Sequence, residues 1–139
     1  MPSTLHHTPF RPVSAFAIAC ISLGAIALAP MAHAADKVKI GFVSTLSGPS
    51  SALGIDIRDG FQLAVKLNGG KLGGLPAEVI VSDDQFKPDV ARQLFERNVK
   101  RDKVDFMTGV VFSNIMLAAL PEALDNKTIY ISPNAAPSS

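Results

Sequence analysis

The sequence predicts an α/β fold, an open parallel sheet with helices on both faces. Three observations carry that expectation. Four short runs rich in β-branched and apolar residues alternate with three segments of helical periodicity between residues 37 and 132. The connections are short, so consecutive strands join through right-handed crossovers. The strands are apolar on both faces, and such strands need helices above and below them.

Lys37–Ser44 (KVKIGFVS) is the first strand. In Ile55–Asn68, Ile57, Phe61, Ala64 and Val65 share one helical face, with Asp56, Arg58, Asp59 and Lys66 on the other. Gly69-Gly70 ends that helix, and GGKLGG (69–74) reads as a helix stop followed by a tight turn. Ala77–Ser82 (AEVIVS) is the second strand. Pro88–Arg101 is the second helix, opened by Pro88-Asp89 and closed by Lys100-Arg101, with a buried stripe of Ala91, Leu94, Phe95 and Asn98 or Val99. Val104–Thr108 is a third strand, Ser113–Leu124 a third helix with a kink expected at Pro121, and Thr128–Ser132 a fourth strand. Four strands and three helices are fewer than doubly wound sheets contain. Pro133–Ser139 follows the last strand without covering its edge, so residues 35–139 read as an incomplete N-terminal lobe.

The first 34 residues read as a secretory signal peptide. A short region with Arg11 precedes the uncharged run Val13–Ala29, and Ala32-His33-Ala34 supplies an A-x-A site. Cleavage is expected after Ala34 or Ala35, which makes the mature chain a secreted one. A membrane anchor needs about 20 apolar residues, and Ala17-Ile18-Ala19 before Cys20 makes a poor lipobox. With Arg11 removed, 12 of the 13 basic residues remain against 12 acids, so the mature net charge is zero. All three His and the single Cys leave with the signal.

Those losses exclude most chemistry. Without Cys the domain stands on its core rather than on disulfides. Zero net charge without a basic cluster argues against a nucleic-acid partner. Gly48–Ala52 misses the final Gly of a nucleophile elbow, and no His remains to activate Ser50 or Ser51. Zinc would want His or Cys, and Asp83, Asp84 and Asp89 lack the spacing of a calcium loop. They read as carboxylates at a strand-end turn and a helix start. GGKLGG lies at the wrong end of its helix to cradle phosphate, and LSGPSSALG (46–54) lacks either glycine fingerprint. No cofactor is expected. What remains is a set of strand-end loops facing one crevice: Thr45–Gly54, Gly109–Asn114 and Pro133–Ser139. Ser113, with free N–H groups of its helix, suits a carboxylate, although a Ser at a helix start is usually an N-cap. Phe112 offers an apolar wall or a core residue.

The stretches KIGFVSTLSGPSSALG, RDGFQLAVKLNGGKLGG, DDQFKPDVARQLFERNV, VDFMTGVVFSN and IYISPNAAPSS cover residues 37–139 nearly throughout. Together they resemble the periplasmic substrate-binding proteins of ABC transporters, in the leucine/branched-chain amino acid receptor family. GKLGGLPAEVIVSDDQ and SPNAAPS are most similar to members that take up aromatic acids. The resemblance implies a type I periplasmic-binding fold, here a partial first lobe, in a receptor that is monomeric when full length. It implies a small carboxylate ligand, delivered to a permease in the inner membrane, and no catalysis. By the same resemblance, Ser113 meets the ligand carboxylate with Asn114 beside it. Asn134, Ala135 and Ala136 match a segment whose backbone binds it, and Leu46, Ser47 and Leu53 border the ligand's body. Ala136 or Pro137 stands where amino acid receptors often have Thr, a departure from that pattern. Two alternatives stand: a Rossmann-like nucleotide-binding or enzyme domain, and a truncated chain without independent function.

Overall fold

The computed structural model describes residues 36–136. The signal segment, its cleavage point and residues 137–139 lie outside the described residues.

β1 (Val38–Ser44) forms the centre of the sheet and pairs in parallel with both β3 (Leu75–Asp83) and β4 (Phe106–Thr108). β5 (Ile129–Ile131) adds in parallel beyond β4, and the sheet order is β2-β3-β1-β4-β5. The expected α/β class holds, with one addition at the edge. Within GGKLGG, β2 (Lys71–Leu72) pairs antiparallel with the start of β3. Two residues folding back on a Gly-rich turn are too short to leave a periodic signal.

Register assigns the two faces. Side chains alternate along a strand and match across paired positions, so Gly41, Val43, Ile80, Met107 and Tyr130 share one face. On that face lies the main core, which also draws Ala91, Phe95 and Val99 and, from the third helix, Ile115, Met116, Ala119 and Ala123. The other face carries Ile40 and Phe42, and Phe42 meets Phe61 of α1 (Ser51–Leu67) at 5.4 Å between ring centres. Helices therefore cover both faces, as the apolar strands require. Coverage thins toward β5, where Ile129 and Ile131 are 65% and 54% exposed on the α1 side.

The helices differ from expectation at their ends. α1 starts at Ser51, not Ile55, so the second half of LSGPSSALG is its first turn. Gly54 explains this. A Cβ there would lie 2.0 Å from the Thr45 carbonyl oxygen, so only glycine lets the helix start directly over the end of β1. The expected stripe of α1 is partial: Val65 is buried, Ile57 and Phe61 half-buried, and Ala64 exposed. α2 (Pro88–Glu96) opens with Pro88 in its first turn and buries the expected Ala91 and Phe95. Its continuation through Arg97–Asp102 widens into π-helical turns, burying Asn98 and Val99 before Lys103 stops it in a left-handed conformation. α3 (Ser113–Asp125) runs unbroken through Pro121.

Candidate binding site

The topology fixes where a crevice opens. β1 leads through α1 to β3 on one side of it, whereas β3 leads through α2 to β4 on the other. α1 thus leaves β1 toward one face, and α2 and α3 occupy the opposite face. Between the carboxyl ends of β1 and β4 the chain directions diverge, and open α/β sheets bind ligands at that point.

The loops at that end are tied to one another in series. After β1, the Thr45 hydroxyl donates to Asp84 Oδ1 at 2.6 Å, and Leu46 N–H donates to Asp83 Oδ1 at 2.8 Å. After β3, the N–H groups of Gln85 and Phe86 return to the same two carboxylates. Phe86 then packs against Phe112 of the loop after β4, ring centres 4.7 Å apart and planes at 83°. After β5, Asn134 Nδ2 donates to the Val111 carbonyl at 2.8 Å, joining the last loop to the third. Gly109, at φ +105°, closes the stack, since a Cβ there would lie 2.8 Å from the Val43 carbonyl.

Asp83 and Asp84 are the framework of this rim, which fits their reading as strand-end carboxylates. Their environments differ. Burial pushes the Asp83 carboxyl up, but bonds from the Ser47 hydroxyl and the N–H groups of Leu46, Gln85 and Ser47 outweigh it and hold it below its ordinary value. Asp84 is fully buried, and that burial raises it despite its bonds to Thr45 and Phe86. Its Oδ2 has no partner among the described residues.

The first turn of α3 forms the electropositive part of the rim. Its N-cap is Phe112, not Ser113, and no side chain among the described residues caps it. The N-cap reading of Ser113 is thereby corrected, because an N-cap hydroxyl sits one residue before the helix and Ser113 is its first helical residue. No acid lies in that turn. The N–H groups of Ser113 and Asn114 therefore remain without a side-chain cap beside the Ser113 hydroxyl, at the positive end of the helix dipole. Ser113 is half-buried and Asn114 exposed.

The remaining expected residues are placed unevenly. Leu46 is half-buried and Ser47 exposed on the β1 loop, while Leu53 is 45% exposed on the first turn of α1. Asn134 spends its side chain on the rim itself. Ala135 is buried in the core cluster, and its carbonyl accepts from the Ser132 hydroxyl. Ala136 is exposed. Sequence reasoning missed Thr45 and Phe86. The pair Asp83-Asp84 was a signal for the turn, because Asp side chains bond backbone N–H groups two residues on; nothing in the sequence marked the exposure of Phe86.

Comparison with known proteins agrees with this fold. The family described as periplasmic binding protein matches residues 37–139. The chain is 29% identical over 123 residues to the Leu/Ile/Val-binding protein homolog 6 of Brucella abortus, covering 88% of this chain and 32% of that protein. It resembles the branched-chain amino acid transporter substrate binding protein LivJ of Streptococcus pneumoniae, solved in complex with isoleucine, at a TM-score of 0.69 and 30% identity. That match covers 74% of this chain and 30% of the other. A solute binding protein of an ABC transporter from Rhodopseudomonas palustris, in complex with 3,4-dihydroxybenzoic acid, matches with the same TM-score and identity over 73% and 28%. The chain thus spans about a third of the length of the relatives it matches. Those relatives are solute-binding proteins, not enzymes.

Proposed function

The chain belongs to the periplasmic binding protein family, and on that premise we propose that it forms part of the first lobe of an ABC transporter receptor for a small carboxylate. The ligand is a branched-chain amino acid or an aromatic acid, the two classes bound by its structural relatives. The single observation that carries the reading is the uncapped, acid-free first turn of α3 at the chain-direction switch of the sheet.

In this reading the ligand carboxylate docks on the N–H groups of Ser113 and Asn114 and on the Ser113 hydroxyl. Leu46, Leu53 and Phe112 border its body, and the Ala135-Ala136 backbone completes the carboxylate contact. Cleft closure by a second lobe excludes water and hands a loaded receptor to an inner-membrane permease. Residues 1–34 direct export to the periplasm, and residues 35–139 are the lobe segment.

Isothermal titration of the complete gene product with leucine, isoleucine and benzoate tests the proposal. Saturable heat with one class is expected, and its reduction by about tenfold or more in affinity in Ser113→Ala, because bonds to a charged group are the strong ones. Absence of binding to all three would overturn it.

A further inference from the structure

The turn after β3 holds a residue that the fold does not need where it sits. Phe86 is 45% exposed, although a ring of that size normally completes a core. Its backbone lies at φ 58°, directly after Gln85 at φ 54°. Residues with a Cβ avoid that region, and for a bulky side chain it is a genuine outlier. Two such residues in succession persist only where the surroundings impose them. Here the imposing groups are visible. Phe86 N–H is held by Asp84 Oδ1 at 2.8 Å, and the same oxygen accepts the Thr45 hydroxyl inside the buried floor of the rim. The strained turn sets the ring edge-on to Phe112, the residue immediately before Ser113.

We propose that Phe86 is a specificity-determining residue of the cleft, its ring and that of Phe112 forming an aromatic wall that favours a flat aromatic carboxylate. The assignment rests on the receptor reading above and narrows its ligand class. A carboxylate seated on the first turn of α3 would carry its body past Phe112, the ring against which Phe86 packs. A third ring joins such a pair through offset or edge contacts, beyond the area it buries. A saturated ring of the same size gains only the area.

The test is calorimetric titration of the complete gene product with benzoate and with cyclohexanecarboxylate, which share a carboxylate and differ in flatness. Wild type is expected to prefer benzoate by about threefold to tenfold. Phe86→Leu should bring the two affinities within about twofold, while Phe86→Tyr, which keeps the ring, should retain the preference. Intermolecular nuclear Overhauser effects between benzoate and Phe86 ring protons test the same contact in the unmodified protein, whatever the folding of the variants. An unchanged preference in a folded Phe86→Leu protein, equal wild-type affinities, or no such effect in the benzoate complex would each sink the inference alone. A wild type that binds neither acid nor leucine would overturn the receptor reading and this inference together.

Discussion

Replacing Gly54 by Ala should unseat α1 from the end of β1. The added methyl carbon would lie 2.0 Å from the Thr45 carbonyl oxygen and 2.9 Å from Ser44 Oγ. Ordinary contact begins near 3.4 Å, so helix and loop must separate by roughly 1.4 Å. Thr45 cannot easily yield, because its hydroxyl is committed to the buried Asp84. Overpacking of this kind costs about 1–3 kcal/mol, occasionally more, and a backbone obstacle favours the upper end. Alanine returns about 1 kcal/mol of helix propensity, which leaves a net loss near 2 kcal/mol. Gly60 supplies the control within the same helix. Nothing lies within 4 Å of a Cβ there, so Gly60→Ala should stabilise by about 0.5–1 kcal/mol. Urea unfolding of the complete gene product measures both variants, and effects on the unfolded chain largely cancel between them. The two should differ by about 3 kcal/mol. A difference below about 0.5 kcal/mol would refute the close approach as the reason for glycine at position 54.

Asp84→Asn tests the rim's electrostatics. Burial makes the folded protein hold the Asp84 proton more tightly than a free aspartate does, so its contribution to stability is complete below the ordinary aspartate value and lost as pH rises through the raised one. Asparagine keeps the acceptor for Thr45 and Phe86 and removes the buried charge, so the variant should lose under about 1 kcal/mol at pH 7 and fare worse, relative to wild type, near pH 4. Thermal melts across that range decide it; a larger loss at pH 7 than at pH 4 contradicts the assignment. A product limited to residues 35–139 should lack a cooperative thermal transition, because the face around Ile129 and Ile131 stays open. A sharp melt by circular dichroism would show that this face needs no cover.

Much of the fold was legible because its strands are written in β-branched runs. β1 is expected at 37–44 and lies at 38–44; of the stripe indicated for the second helix, Ala91 and Phe95 are buried in α2, Leu94 is half-buried, and Asn98 and Val99 are buried in the π-helical turns that follow. What escaped depends on contacts between distant residues. Glycine at position 54 reads locally as loop punctuation; only its approach to Thr45, nine residues back, makes it a helix residue. Ser113 looks like an N-cap by residue type, yet the chain enters α3 one residue earlier, through an extended Phe112. The point where chain directions diverge, between the carboxyl ends of β1 and β4, was legible from the strand-helix alternation. The aromatic wall was not, since no local pattern announces that Gln85 and Phe86 are both left-handed.

The series of ties around the rim divides labour between backbone and side chain. Most of its links end on a main-chain group: the N–H groups of Leu46, Gln85 and Phe86, and the Val111 carbonyl. A substitution at Leu46 or Val111 leaves the linking atom in place. A lineage could therefore exchange a side chain such as that of Leu46 without loosening the frame that holds its loop. Under the receptor reading proposed above, such a frame lets solute preference drift along single-residue steps, each of them still folded.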